Sequence, residues 1–503
     1  MKFRFVKYLS AVVLAAFTLV GCENGLGNGD NGDDDITIYL NVSPESLTFN
    51  HEAQSSFVTV LVNTDEWDFV STASWIEATR NGDDIDLAIA ANNSVDTREG
   101  KLIVFVSNGK TRVERTVSIT QTSKDAEESG ASGTFECSVF EELMLSNYDI
   151  NGDGKISEAE AAVVTEIDVS FTESDAEERE YITSLKGIKM FKNLQYLYCD
   201  NNLIKTLDLS GMEKLEHVDC YYNDMVSLNV SNCPSLKWVY CYSNKLTNLN
   251  FSGSENIMFI QAYKNKLTSI KVSGMQELVY FDVLMNELRD VDFSNCPKLQ
   301  VAAVGSNNLI SLNLEGLPSL YTLGCYENNI ASLDVSKLAK LEMLECYANN
   351  IASLDLSANP LLKAITCQLN MLTSLNIDNC ELLTRIDCSS NFLSGTIDFG
   401  KYADLKTLNC GGNNFTAISV NECSKLESLA CEDTQISVLE VSNLASLTSL
   451  VANNCLLTKM DCSSNINLKT LHLQGNPLTE LVLAEGQSIA DLKLDNHDVI
   501  SYK

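Results

Sequence analysis

Positive charge is scarce in this chain. Lysine and arginine number 35 against 68 aspartates and glutamates, a formal net charge of −33 over 503 residues. Phosphate recognition needs clustered cations, so this balance argues against nucleic acid as a partner. It argues equally against electrostatic attachment to anionic lipid headgroups. Histidine is rarer still. His51, His217, His472 and His497 show no spacing that builds a zinc site. The apolar run from Leu9 to Val20 is too short to span a bilayer. No Ser-His-Asp arrangement, metal cluster or phosphate-binding glycine loop stands out, so the chain does not read as an enzyme.

What is abundant is repetition. Leu341 to Ile351 reads Leu-Glu-Met-Leu-Glu-Cys-Tyr-Ala-Asn-Asn-Ile, the frame L-x-x-L-x-C-x-x-N-x-L. A second apolar beat follows, as in Leu354-Asp355-Leu356-Ser357. The Cys slot falls at 199, 220, 241, 325, 346, 367, 388, 410 and 431, and Ala262, Val283, Val304, Ala452, Leu473 and Leu494 fill it elsewhere. The step is 21 residues, with one step of 22 that we place around Phe399–Tyr402. A fixed period of this length means stacked units, not one globular core. Apolar residues alternate with outward ones around the Cys slot, so each unit carries a short strand with one buried face. Fifteen coils at roughly 4.8 Å each would span roughly 70 Å, a surface for large partners and not a pocket.

An asparagine stands three residues after the slot at 202, 223, 244, 265, 286, 307, 328, 349, 370, 391, 413 and 476. Buried turns leave backbone groups in need of partners, and a carboxamide offers both donors and acceptors. The expectation is a ladder of asparagines running from coil to coil. Thr434, Cys455 and His497 replace Asn in the last units, where the ladder is weakest. This frame resembles the leucine-rich repeat family, in its short bacterial 21-residue form. The resemblance implies a parallel-strand solenoid over 194–503, and surface proteins of this kind are often adhesins or binders of host factors.

The chain has 17 cysteines. Nine fill the inward slot, and Cys233, Cys296, Cys380 and Cys423 share a second column thirteen residues on. Free cysteine behaves as a small hydrophobe, so the placement favours buried thiols. Bridges between neighbouring coils are the alternative, since stacked strands bring equivalent Cα atoms within reach.

Met1 to Cys22 has a basic start, Lys2, Arg4 and Lys7, then an apolar run ending Leu19-Val20-Gly21-Cys22. It resembles the bacterial lipoprotein signal. That implies a signal peptide over 1–21, acylation of Cys22 and a lipid anchor in the outer membrane. After Cys22, residues 23–35 are Gly, Asn and Asp with almost nothing apolar, so 22–35 is an acidic flexible tether similar to the surface-export signals of Bacteroidetes lipoproteins.

Residues 36–123 read as strands. Phe57–Val62, Ile85–Ile89, Lys101–Val106 and Val117–Thr120 are rich in branched residues, with turns at Asn63-Thr64-Asp65 and Asn108-Gly109. Short strands at close spacing predict a β-sandwich. Ser43-Pro44-Glu45-Ser46-Leu47-Thr48-Phe49, Trp67, Ala73-Ser74-Trp75-Ile76 and Thr97-Arg98-Glu99-Gly100 together resemble the BACON domain, an immunoglobulin-like module linked to carbohydrate or mucin binding and used as a spacer. Trp67 and Trp75 read as core residues, with sugar platforms as the alternative. The fold class is thus mainly β: an immunoglobulin-like sandwich, then a leucine-rich repeat solenoid.

Residues 124–133 are a linker by composition, and 134–193 read as a helical cap for the solenoid. Within it, Asp149-Ile150-Asn151-Gly152-Asp153-Gly154-Lys155-Ile156-Ser157-Glu158-Ala159-Glu160 resembles the EF-hand calcium loop at every position. The resemblance implies one Ca2+ held by the side chains of Asp149, Asn151, Asp153, Ser157 and Glu160 and by the carbonyl of Lys155. Helices are expected at Val139–Leu145 and Glu158–Val164.

Strand alternation places outward residues one before, one after and three before the Cys slot. In the first half these slots hold Tyr196, Tyr198, Tyr221, Trp238, Tyr240, Tyr242, Phe259, Tyr263 and Tyr280, with His217, Asp219 and Asp282 among them. Tyr and Trp suit protein anchors and sugar stacking alike. The strip therefore reads as a ligand surface for a protein or glycan, and alternatively as rows stacked across strands for stability. Either ligand suits a surface adhesion protein. A glycan would fit a component of a polysaccharide-uptake system.

Overall fold

Each coil can bury only one strand face, so the coils must stack to close it. In the computed structural model they do. The structure describes residues 40–121 and 135–503, apart from 45, 50–52, 63, 65, 95, 108–111 and 173–178. The expected signal segment 1–21, Cys22, the tether 22–35 and the linker 124–133 lie outside the described residues.

Sixteen parallel strands form one wide sheet running from Glu166–Asp168 to Asp491–Lys493. Neighbours pair in unbroken register, as in Met343↔Ala364, Leu344↔Ile365 and Glu345↔Thr366. The sheet begins earlier than the repeat frame: Glu166–Asp168 pairs with Tyr196–Tyr198. The second apolar beat makes narrower sheets, such as Thr206–Asp208, Ser227–Asn229 and Asn248–Asn250. Between the two lies a single apolar core reaching from Phe135 to Leu483. Phe140 and Met144 of the helix Ser138–Tyr148 belong to it, so the segment before the first repeat closes the end of the stack.

The asparagine ladder is complete over the central coils. Asn349 shows the pattern. Its Nδ2 donates to the Cys325 carbonyl one coil back (3.0 Å) and to the Cys346 carbonyl of its own coil (3.1 Å). Its Oδ1 accepts from Ile330 N–H (2.9 Å). Each carboxamide thereby joins two coils and satisfies backbone groups that water cannot reach. Near the C-terminus Thr434 Oγ1 donates to the Cys431 carbonyl (2.8 Å), and Cys455 Sγ reaches the same carbonyl at 3.3 Å.

The extra residue of the 22-residue step is taken up earlier than the sequence placed it. The register slips between Gly395 and Thr396, where Ser394–Asp398 pairs with Asn414–Ser419. Gly395 has φ 78°, a left-handed conformation that glycine adopts without strain. The wide sheet keeps its register across this bulge, Arg385↔Thr407. Tyr402 fills the second cysteine column, fully buried, with its hydroxyl donating to the Ile377 carbonyl (2.8 Å).

All sixteen described cysteines are unpaired and buried. Burial pushes most of the thiols up, to about 12 for Cys325 and Cys388 and well above the usual range for Cys346 and Cys367, whereas the Cys431 thiol beside it holds Cys455 down at about 7 and Cys137 is lowered too. The raised thiols, held so far from ionisation, act as apolar filling.

Residues 40–121 form two four-stranded sheets, one from Leu40–Ser43, Gln54–Val62, Ile76–Asn81 and Asp84–Ile89, the other from Ser46–Phe49, Trp67–Ser71, Arg98–Ser107 and Arg112–Gln121. Both contribute to one apolar cluster that includes Trp67. Arg80 lies over the Trp67 ring and Arg98 over Trp75. This unit touches the narrow-sheet side of the solenoid. Lys271 Nζ pairs with Asp86 (2.6 Å) and lies over the Phe57 ring.

Candidate ligand-binding face

Three columns of side chains point away from the core on the wide sheet. The strands Tyr196–Tyr198, His217–Asp219, Trp238–Tyr240 and Phe259–Gln261 each bury only their middle residue. The nine aromatic residues expected on this face are all there, and all are half-buried. Neither the open-surface nor the packing expectation describes them alone, because they pack on one another while keeping exposed edges.

The column after the Cys slot is the most regular. Tyr221 and Tyr242 stack with ring centroids 4.5 Å apart and 4° between planes, and Tyr242 and Tyr263 at 4.4 Å and 7°. The strand spacing sets this distance, since one ring per coil lands at roughly the 4.8 Å inter-strand interval. Tyr326 and Tyr347 repeat the stack further on (4.6 Å, 4°). Between the two stacks the column holds Leu284 and Gly305, and the Tyr326 ring lies so close over Gly305 that a Cβ there would meet it at 2.8 Å.

The columns before the slot form a second cluster. His217 sits among Tyr196, Tyr198, Trp238 and Tyr240, with centroid distances of 6.4, 5.2, 6.0 and 5.4 Å. Its Nε2 is 2.9 Å from Asp219 Oδ1. Phe259 and Tyr280 stack beyond it at 6.2 Å. Tyr222 was not singled out by strand alternation, because it sits on the turn after the strand (φ 49°). It is 53% exposed and packs edge-on against Tyr221 and Tyr242. A tyrosine at that turn position was the only available signal.

Burial raises two acidic groups of this face. Desolvation, reinforced by Asp219, pushes Asp200 up to about 6. Desolvation pushes Asp282 up to about 7, against hydrogen bonds from Leu284 N–H and the Tyr280 hydroxyl. Burial likewise pushes Tyr198, Tyr240 and Tyr263 up to about 12, so these hydroxyls stay protonated donors. A carboxylate whose folded pKa is raised is most favourable to folding when it is protonated. Below the ordinary aspartate value of about 3.9, Asp282 costs nothing. Stability then falls as pH rises, until the folded group ionises near 7. Asp282→Asn is therefore expected to raise Tm by a few degrees at pH 8 and to leave it unchanged at pH 4. Equal shifts at both pH values in thermal melts would remove the carboxylate as the cause.

The loop 149–160 is arranged by its own amides. Asp149 accepts from Gly152 and Gly154 N–H (2.8 Å each), and Asn151 from Asp153 N–H (2.8 Å). Gly152 and Gly154 both have positive φ, 72° and 79°. Asp153 accepts from Lys155 N–H (2.9 Å). Glu160 reaches back across the loop and accepts from Ile150 N–H (2.8 Å), Asn151 N–H (3.2 Å), and Ser157 N–H and hydroxyl (2.8 and 2.7 Å). Ser157 and Glu160 form a capping box on the short helix Glu158–Ala161. Among the described residues, no three His, Cys, Asp or Glu side chains converge as a metal cluster. The loop's other oxygen donors are an amide, a hydroxyl and a carbonyl.

No protein-family model and no curated protein matches the sequence. Solved structures do. The functional domain of InlJ from Listeria monocytogenes, described as including a cysteine ladder, aligns with a TM-score of 0.59 at 27% identity, over 69% of this chain and 70% of that one. YopM from Yersinia pestis, a leucine-rich effector protein, aligns at 0.51 and 23% identity, over 60% of this chain and 83% of that one. The YopM likeness speaks to the fold alone. With its 21-residue coils, its asparagine ladder and one parallel sheet along the stack, the repeat region of this chain is a leucine-rich repeat solenoid.

Proposed function

We propose that this chain is a non-catalytic surface protein, lipid-anchored through Cys22 at the outer membrane, whose solenoid binds a protein ligand on the aromatic strip of the wide sheet. The observation that carries this reading is the run of half-exposed rings, Tyr196, His217, Trp238, Phe259 and Tyr280, on one face of five consecutive coils. Rows of exposed aromatic surface mark interaction sites, and Trp and Tyr supply most of the energy at protein interfaces. The immunoglobulin-like front unit serves as a spacer from the membrane, or as a second binding module. The loop 149–160 binds one Ca2+ that orders the cap. Its residues fit that ion: oxygen donors from Asp149, Asn151, Asp153, Lys155, Ser157 and Glu160, around glycines that allow the tight turn.

A glycan ligand is the second reading, and one feature weighs against it. Sugar stacking needs a free ring face, whereas both faces of Tyr242 are covered by Tyr221 and Tyr263. The Trp238 and Tyr240 side keeps that reading testable. Full-length protein carrying Trp238→Ala and Tyr240→Ala is expected to lose roughly 30-fold in affinity for a captured glycoprotein, the effect of about 2 kcal/mol. Capture is expected to survive enzymatic deglycosylation of that glycoprotein. Unchanged affinity in a variant with wild-type Tm would overturn the strip as the binding face, and loss on deglycosylation would favour the glycan.

A further inference from the structure

The acidic side chains of the solenoid fall into two populations. On the flanks they are neutralised coil by coil. Lys237 pairs with Glu216 (2.9 Å), Lys298 with Glu277 and Lys363 with Glu342 (2.6 Å each). The wide sheet is different. Between Thr322 and Glu432 its outward slots hold Glu345, Asp387 and Glu432 against a single basic residue, Arg385. Arg385 favours the charged form of Glu345, yet burial still raises that carboxyl, and burial raises Glu432 as well.

Polar groups without partners cluster on the same stretch. Thr366 stands in register between Glu345 and Asp387. It is 9% exposed, and its Oγ1 has no hydrogen-bond partner. Gln368 Oε1 and Glu432 Oε2 are buried and unpartnered too. Buried polar atoms are rarely left unsatisfied, and two of these three accept only. What is missing from this face is a donor, and its charge calls for a cation. The stacked pair Tyr326 and Tyr347 flanks the stretch and can line a cationic side chain's stem.

The spacing narrows the ligand further. Two coils separate Glu345 from Asp387, and two more separate Asp387 from Glu432. At roughly 4.8 Å per coil each interval along the stack is roughly 10 Å, which three residues of a polyproline II chain also cover at about 3.1 Å each while returning every third side chain to one face. Glu432 stands in the column after the Cys slot and Asp387 in the column before it, a lateral step of roughly 7 Å that a long cationic side chain spans. We propose that the stretch of the wide sheet from Glu345 to Glu432 holds an extended basic segment of the protein ligand, laid across the coils, with its lysines or arginines at every third position. This rests on the reading of the wide sheet as a protein-binding face and adds the chemistry of the partner.

The test uses the full chain and a fluorescent peptide of roughly 12 residues with arginine at every third position, long enough to cross the whole stretch. Its companions are an isomer with the arginines adjacent and a counterpart with glutamate in their place. Anisotropy titrations are expected to rank the spaced peptide first, with no binding of the acidic one. Glu345→Gln with Glu432→Gln is expected to weaken the spaced peptide roughly tenfold, whereas Glu277→Gln with Glu342→Gln, which removes the same charge from the flank, leaves it within about twofold. Circular dichroism melts check that both variants fold. Equal losses in the two variants would reduce the effect to bulk charge and overturn the proposal, as would equal affinity for spaced and clustered arginines. If those results come with the Trp238 and Tyr240 effect intact, the basic-segment assignment fails alone and the aromatic strip stands.

Discussion

Replacing Asn349 with alanine is expected to destabilise the middle of the solenoid by roughly 3–5 kcal/mol, far more than the loss of one ordinary side-chain hydrogen bond. The carboxamide is 7% exposed and serves both neighbours at once. Without it the Cys325 and Cys346 carbonyls each lose one of two carboxamide donors, keeping Asn328 and Asn370, and Ile330 N–H loses its acceptor. The one buried N–H left unsatisfied costs about 1–3 kcal/mol, and each of the two lost carbonyl bonds about 0.5–1.5 kcal/mol more. Because stacked repeats are stabilised by nearest neighbours, the damage should appear as a break and not as a uniform loss. Urea unfolding is expected to split into two transitions, one for the coils on each side. Asn349→Thr should cost less, because Thr434 already shows a hydroxyl reaching the equivalent carbonyl. A single, barely shifted transition for Asn349→Ala would mean that the ladder is not what couples the coils.

The ladder was legible in the sequence because its chemistry repeats: one asparagine per period, at one offset from one inward slot. The same was true of the parallel register and the buried thiols, both of which follow from a strict period and alternation. The outward columns were legible as positions but not as contacts. Nothing in the spacing distinguishes Tyr221, Tyr242 and Tyr263 as a continuous stack from the tilted group around His217, since ring orientation is decided by the neighbours' χ angles. The unpartnered Thr366, Gln368 and Glu432 were invisible for the same reason. The lysine pairs of the flanks escaped notice because partners 21 residues apart meet only once the coils are stacked. The bulge at Gly395 was misplaced because one inserted residue leaves the columns on either side intact. In residues 40–121 the interior strands were plain. Trp67–Ser71 and Ile76–Asn81 were not, because each lies at a sheet edge with one buried side chain and little alternation.

Removing Glu160 should affect the cap twice, once through its hydrogen bonds and once through the proposed calcium ion, and two variants separate the effects. Glu160→Ala strips Ile150, Asn151 and Ser157 of the carboxylate they share. It is expected to lower the melting temperature of the cap in chelator as well as in calcium. Hydrogen bonds, Ser157's first, hold the Glu160 carboxyl down at about 2, well below the ordinary glutamate value. Its contribution is therefore fully present above about 4.3, the unfolded value, and fades as pH falls toward about 2. The gap in Tm between wild type and Glu160→Ala in chelator should close over that window. Asp153→Ala is the contrasting variant, because Asp153 is exposed and accepts only a local bond from Lys155 N–H. It is expected to melt like wild type in chelator but to lose the calcium response. In wild type that response should reach about 2.7 kcal/mol at a hundredfold excess of calcium over Kd. Hydrogen exchange at Phe140 and Met144, which join the cap to the first coils, would report the same ordering locally. If wild type melts identically in calcium and in chelator, the loop is a metal-free turn. The capping box and the loop's own hydrogen bonds then hold it beside the helix Ser138–Tyr148, and Glu160→Ala retains only the pH-dependent part of its effect.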